Sequence, residues 1–440
     1  MAKLVHDSSS ESATSALDLF SVPHTQSSIT KSKIVDVHPL TSLSDEGPIE
    51  FKISGNGEAF VDPSQTELYI KFKVTKSNGT NLDAGSKTTV TNYPIGSFFS
   101  QVDVTLGGKL ISASSNTYAH RAIIETLLNY GEEAQKSQLT SALFYKDTAG
   151  QMDDADITED PVANKGAESR NNWIQQSNVV EIQGRIHADI FNQDKLILNG
   201  VDMHIKFHRH KNAFSIISED GGTAHRISIL DAVLYVKKVF LAPSPFNAIN
   251  TVLKDSTVKY PISRVAPKVF TIAAGKQSEN IDNAFLGELP KRLVICMTDN
   301  DAFNGAYNKN PFDFQHYKLS QIGVYVNGED APQKPLKLDF DSKQFISAYN
   351  TLFAGTGKLH ADRGVSISRD EYPEGYSIFV FDLTPFENGE HFDLKSEGSL
   401  NIDLIFKEAL AHTINVIVYA EYDAVIEIDS NRNVIKDFHN

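Results

Sequence analysis

The sequence predicts an all-β protein: two tandem eight-stranded jelly-roll sandwiches with one short helix in each and a mostly disordered N-terminal arm. Three observations carry this prediction. Short segments of period-2 alternation recur from Ile49 onward, each half holds one amphipathic helical stretch, and a nine-residue motif with its surroundings occurs twice in the same order. With 440 residues, 40% of them hydrophobic and 22% charged, the chain has material for more than one core. Two sandwiches of roughly 190 residues each suit that length and bury one face of every strand.

The elements follow in chain order. Residues 1–46 are rich in Ser and Thr, and their one apolar island is Ala16-Leu17-Asp18-Leu19-Phe20 before Ser21-Val22-Pro23. Such a segment cannot bury enough surface to fold alone, so it reads as a flexible arm whose Leu17, Leu19, Phe20 and Val22 a partner would hold. In Leu68–Val74 the even positions are apolar and the odd ones include two lysines, the mark of a half-buried strand. Val102–Leu106 alternates likewise and meets Gly107-Gly108, a hairpin signal, and Val201–Phe207 alternates again. Arg226–Leu241, Lys291–Met297, Ile322–Val326, Tyr376–Leu383, Leu400–Phe406 and Thr413–Tyr422 are rich in Val, Ile, Tyr and Phe. Helices are expected at Tyr118–Asn129, where Ile123, Ile124, Leu127 and Leu128 share a face, and at Ser342–Ala354, where Phe345, Ile346, Tyr349, Leu352 and Phe353 do.

The repeat aligns Ser100-Gln101-Val102-Asp103-Val104-Thr105-Leu106-Gly107-Gly108 with Ser320-Gln321-Ile322-Gly323-Val324-Tyr325-Val326-Asn327-Gly328. A strand ending at Phe207 then matches one ending at Phe406, and the spacing shrinks from 220 to 199 residues, as a longer loop in the first copy (polar Gly131–Asn178) would cause. The breaker Pro243-Ser244-Pro245 sets the domain boundary. The arm is then 1–46, the first jelly roll 47–245 and the second 246–440.

Charge and motifs exclude several functions. A net charge of −15, from 41 Lys and Arg against 56 Asp and Glu, is the wrong sign for a surface that tracks phosphates, so nucleic-acid binding is not expected. No apolar run reaches the ~18–20 residues of a membrane helix, and Met1–Ser10 lacks the apolar stretch of a secretion signal. The one cysteine, Cys296, lies in the apolar run Leu293–Met297 and packs as a small hydrophobe, and no thiolate zinc set exists. His204, His208 and His210 would share a polar strand face with Lys206, while His187 and His225 lie nearby in sequence. A lysine among the ligands and no carboxylate before Glu219 favour a solvated or interface face over a metal site. The run Asp153, Asp154, Asp156, Glu159, Asp160 lacks the spacing of a calcium loop and reads as a solvated loop tip. Phosphate-binding glycine loops and a Gly-x-Ser-x-Gly elbow are absent, so no catalytic, cofactor or metal residues are expected.

Several stretches resemble the major capsid proteins of Polinton (Maverick) elements and adintovirus-like viruses. They are Leu17–Pro23, Gly47–Phe51, Ser97–Val104, Tyr118–Gly131 with Arg121, Phe285–Arg292, Asn310-Pro311-Phe312 and Ile426–Arg432, and the similarity spans nearly the whole chain apart from gaps such as Thr148–Ser169. The resemblance implies a hexon-like, non-enzymatic double jelly-roll subunit that forms a homotrimer of pseudo-sixfold outline and tiles an icosahedral virion shell. It also implies partners in a penton (vertex) protein and minor capsid proteins, with assembly inside the cell. The rival expectation is a carbohydrate-binding or hydrolytic β-sandwich protein. Such a protein would show exposed aromatics for stacking sugars, yet the single tryptophan, Trp173, sits in the polar stretch Asn171–Gln176.

Overall fold

The computed structural model describes residues 6 and 8–438 apart from 45, 56, 113–114, 221–223, 363, 385–391 and 393, so parts of the expected arm (1–5, 7 and 45) lie outside the described residues. The first sandwich is built from β1 (Ile29–Val37), β2 (Ile49–Ile53), β3 (Ala59–Lys76), β4 (Phe99–Leu106), β5 (Lys109–Leu110), β6 (Val180–Arg185), β7 (Met203–Arg209) and β8 (His225–Leu241). The second is built from β9 (Val258–Ile272), β10 (Ser278–Glu288), β11 (Arg292–Asp299), β12 (Leu319–Val326), β13 (Glu329–Asp330), β14 (Ile378–Asp382), β15 (Glu397–Phe406) and β16 (Ile414–Ile428). Sheet orders are β1-β8-β3-β6 and β2-β7-β4-β5 in the first, and β9-β16-β11-β14 and β10-β15-β12-β13 in the second, where the short strands Val434–Lys436 and Leu336–Lys337 also pair with β16 and β12. Each strand of the first sandwich has its counterpart eight labels later, and the order within the sheets is the same. The chain is a double jelly roll.

A local defect repeats with the topology. The β4–β7 ladder slips between Phe99 and Gln101, and the β12–β15 ladder slips between Leu319 and Gln321, so a β-bulge sits at Ser100 and again at its sequence match Ser320. Both serines send their hydroxyl to the partner strand: Ser320 Oγ donates to Ile405 O at 2.9 Å and Ser100 Oγ to His208 O at 3.4 Å. The register also refines the sequence alignment: Val102 faces Phe207 while Ile322 faces Leu404, which makes Leu404, not Phe406, the counterpart of Phe207.

Alternation places the cores. Leu68, Ile70, Phe72 and Val74 of β3 point inward against Val102, Val104 and Leu106 of β4 and Met203, Ile205 and Phe207 of β7, all buried. Gly107 and Gly108, both at positive φ, close the β4–β5 hairpin as the glycine pair predicts. In the second sandwich Ile322 and Val324 meet Leu400, Ile402, Leu404 and Phe406.

Among the described residues four helices of eight or more residues accompany the strands: α1 (Tyr118–Asn129), α2 (Lys165–Ile174), α3 (Pro243–Val252) and α4 (Ile346–Ala354). α1 and α4 are the expected pair, although α4 starts at Ile346 because Asp339 and Gln344 first form an isolated bridge. The expected break after β8 is instead the helix α3, with Pro243 at its first position, where a missing N–H costs nothing. The long polar connection Gly131–Asn178 contains α2.

The arm requires a correction. Residues 29–37 form β1, paired with β8 from Ile29↔Leu241 to Val37↔Leu234, so the first sandwich begins at residue 29 rather than 47. Seven of its nine side chains are exposed, and it is held through the backbone, so its composition does not distinguish it from a loop.

Candidate functional site

The chemistry-bearing side chains concentrate where the two sandwiches meet. In α1, Arg121 and Glu125 stand one turn apart on the opposite side from the Ile123–Leu127 stripe, and the helix is buried at every position but its last. Arg121 Nε donates to Glu125 Oε1 and Nη2 to Asp189 Oδ1, each at 2.7 Å. The second sandwich closes the network: Tyr419 OH of β16 donates to Glu125 Oε1 at 3.1 Å, and the Val265 N–H of β9 donates to Asp189 Oδ1 at 3.3 Å. Glu125 Oε2 meets His187 Nδ1 at 2.7 Å, and His187 Nε2 meets Tyr93 OH at 3.0 Å. Burial acts to raise the Glu125 carboxyl, but Arg121 and His187 outweigh it and hold it well below the usual carboxylate range. Burial pushes His187 down despite that bond.

A Tyr–His–Glu chain invites a catalytic reading, but Tyr93, His187 and Glu125 are all buried, and they bond to one another, to Arg121 and to Tyr419 of the second sandwich. The arrangement joins two domains through buried, mutually paired charges, with Asp189 Oδ2 left without a hydrogen-bond partner.

The long connection adds a second joint. Arg170 of α2, fully buried, donates to Asp147 Oδ1 at 2.5 Å and through Nε to Val90 O at 2.8 Å. Across the boundary, Asn310 Nδ2 reaches Asp147 Oδ2 at 3.2 Å, Tyr376 OH donates to Asp147 O at 2.7 Å, and Lys146 Nζ pairs with Glu371 at 2.7 Å. Beside it His120 of α1 lies among Phe214 of the first sandwich and Phe303 and Phe312 of the second, which pushes its pKa to about 3 by burial. At the other end Arg432 Nε donates to Asn199 O at 2.8 Å, and Tyr260 OH accepts the Leu198 N–H at 2.9 Å.

The sequence-selected histidines separate. His204 and His208 do share the outer face of β7 with Lys206, which stands opposite Glu50 and Asp103 and lets both histidines reach those carboxylates diagonally: His204–Glu50 at 3.3 Å, Lys206–Glu50 at 3.0 Å and His208–Asp103 at 2.7 Å. His210 does not join them, because β7 ends at Arg209 and the ring stacks on Phe214 at 3.6 Å. His187 lies in the seam, and His225 at the start of β8 presents the same Nε2 to Thr88 (3.4 Å) and Asp220 (3.8 Å), unlike a hydrolase base oriented through its other nitrogen. No group of three or more His, Cys, Asp or Glu arranged for a metal exists among the described residues.

The acidic run is tethered rather than a free tip. Asp153 Oδ1 accepts the Asn310 N–H at 2.6 Å, and Asp156 pairs with Lys87, while Glu159 and Asp160 are exposed. Cys296 is buried, and burial pushes its thiol up. Trp173 is exposed on α2, its Nε1 donating to Tyr145 OH at 3.2 Å. Leu17, Leu19, Phe20 and Val22 are 66%, 75%, 97% and 84% exposed, so the apolar island of the arm has no cover within the chain. The joint residues Arg121, Glu125, Asp189, Arg170 and Asp147 escaped sequence reasoning as a site. The only available signal was an i, i+4 ion pair on an otherwise apolar helix.

No protein-family model matches the chain. An uncharacterized protein of Caenorhabditis elegans is 25% identical over 432 residues, covering 94% of this chain and 99% of that protein. Among solved structures, a chain of the Sputnik virophage particle is similar with TM-score 0.63 at 14% identity, covering 98% of this chain and 93% of that one. The mavirus major capsid protein is similar with TM-score 0.52 at 11% identity, covering 99% and 97%. At such identities the likeness shows the fold, over essentially the full length of both chains.

Proposed function

We propose that this protein is a major capsid protein: a non-enzymatic, hexon-like subunit whose three copies close into a trimer of pseudo-sixfold outline that tiles an icosahedral virion shell. One observation carries the reading. Two sandwiches of the same strand order, each with the same bulge, are locked into one block by buried polar joints, and six such modules fit a hexagonal tile when three chains come together. The full-length likeness to the mavirus major capsid protein supports it. The stretches quoted from the sequence favour the lineage of Polinton elements and adintovirus-like viruses.

In this reading the residues of interest are contact residues. The island Leu17, Leu19, Phe20 and Val22 docks on a neighbouring subunit or capsomer and orders on assembly, since each large apolar side chain gains ~1.5–3 kcal/mol when buried. A vertex protein and minor capsid proteins complete the shell, and the protein works in the virion after assembly inside the cell, without cofactor, nucleic-acid specificity or membrane insertion. Among the described residues no helix is long and apolar enough to cross a membrane.

Negative-stain microscopy of the purified protein tests this. Hexagonal tiles or closed particles are expected; uniform single globules at high concentration, together with binding on a glycan array, would turn the reading to the carbohydrate-binding rival.

A further inference from the structure

The chain itself displays one contact between sandwiches, and the repeat shows which surfaces lack it. α1 and α4 are counterparts: Thr126-Leu127 and Thr351-Leu352 align, and each threonine hydroxyl donates to a carbonyl of the preceding turn, Thr126 to Ala122 at 2.7 Å and Thr351 to Ala348 at 2.6 Å. Arg121 and Glu125 therefore correspond to Ile346 and Asn350. The first pair is buried beneath β9 and β16, whereas Ile346 is 47% exposed and Asn350 is exposed.

The receiving sheet shows the complementary difference. Arg292 pairs with Asp382 and Glu421, and Glu67 pairs with Arg185 and Tyr235, which makes Tyr235 of β8 the counterpart of Glu421, and Val233 that of Tyr419. On β16 and β11 the outward residues Tyr419, Ile417, Val294 and Cys296 are buried, and Tyr419 meets Glu125 of the first sandwich. The matching outer face of β8 and β3 is more open: Val233 is buried, but Tyr69 and Tyr235 are half-buried at a ring separation of 6.0 Å and Ile34 of β1 is exposed at its edge.

We propose that the bare face of α4, at Ile346 and Asn350, seats on the outer face of β8 and β3, at Tyr235 and Tyr69, of a second copy. The occupant is this same chain because its own first sandwich already presents the equivalent helix to the equivalent sheet. A contact between two different patches is head-to-tail, so each copy keeps one free patch of each kind until a ring closes. Both patches face water before assembly, which accounts for their more polar character: Lys71 and Glu181 pair at 3.4 Å where the covered sheet has Cys296. The inference rests on the capsid-subunit reading and names its subunit contact.

Thiol cross-linking tests it, since the buried Cys296 leaves the parent chain silent to a short bismaleimide. Ile346→Cys and Tyr235→Cys are made singly, co-expressed, and combined in one chain, with Asn350→Cys and Tyr69→Cys as a second pair. The expected result is no cross-link in either single variant, a covalent dimer from the co-expressed pair, and a covalent trimer from the double variant. Self-cross-linking of a single variant would show a two-fold contact and overturn the proposal. So would the absence of cross-links in samples that light scattering shows to be trimeric, which leaves the trimer standing with another interface. A monomeric sample overturns both.

Discussion

β3 and β11 occupy the same place in their sandwiches, yet Leu68–Val74 alternates between buried and half-exposed positions while Leu293–Met297 is buried throughout. Their helices differ the same way, α1 enclosed on all sides and α4 open along Ile346 and Asn350. A fold does not dictate how many faces of its elements are buried; position in the assembly does. The second sandwich has the first against its outer sheet, so its strand reads as an unbroken apolar run. The corresponding face of the first sandwich leaves Tyr69, Lys71 and Tyr235 half-buried and retains lysines. The same logic explains the polar residues. Ion pairs on the open face, such as Lys71–Glu181, lie in water and contribute little, whereas Arg121–Glu125–Asp189 has traded hydration for mutual contact.

Exchanging residues between the two strands breaks the comparison most sharply. Cys296→Lys places an unpaired ammonium under the first sandwich and should cost 3 kcal/mol or more, on the order of breaking a buried ion pair, whereas its mirror, Lys71→Cys, should stay within about 1 kcal/mol. Urea unfolding measures both; a Cys296→Lys chain as stable as the parent would mean that β11 is not covered on its outer face. Next, Glu125→Ala takes one of the two carboxylates from buried Arg121 and the Nδ1 partner from His187, and should lose about 3–5 kcal/mol, against roughly 0.5 kcal/mol for Asn350→Ala at the corresponding place on α4. Equal losses would remove the distinction between sealed and bare helices.

Acid should find the seam. Burial holds His120 at about 3, and His210 at about 3, so the unfolded chain, with histidines near 6.5, takes up protons first. Stability is therefore fully present above about pH 6.5 and falls as pH drops toward about 3; His120 alone accounts for on the order of 2 kcal/mol at pH 5. Asp313, pushed up to about 7 by burial and by Asp153, opposes part of this trend, because the folded chain holds its proton more tightly. His120→Phe should flatten the melting temperature between pH 7 and 5; an unchanged slope would place the acid sensitivity elsewhere. The smallest effect on the soluble chain belongs to the arm. Deleting residues 1–22 spares β1 and should alter stability by no more than ~0.5 kcal/mol while lowering particle yield; unaltered assembly would show that the island has no role in it.

Much of the fold was legible because half-buried strands and amphipathic helices print their periods in sequence: Leu68–Val74, Val102–Leu106 and Tyr118–Asn129 fall where the structure has them. The duplication was legible too, from one motif that turned out to carry a bulge. β1 was hidden because an edge strand held by backbone bonds can have any exposed residues, and its Thr, Lys and Ser look like the rest of the arm. The joints were hidden for the opposite reason. Arg170, Asp147, Asp189 and His187 come from distant segments, and a charged residue in sequence carries no sign that it will be buried with a partner. Period 2 has no means of announcing where a strand ends, so the sequence places His210 on the face of β7 while the structure ends the strand at Arg209.

Under the proposed function this chain is two-sixths of a ring. Light scattering on the purified protein at micromolar concentration tests it most directly: the account predicts a species of three times the 48.6 kDa chain mass, persistent on dilution, and a stable monomer with no larger species would contradict it.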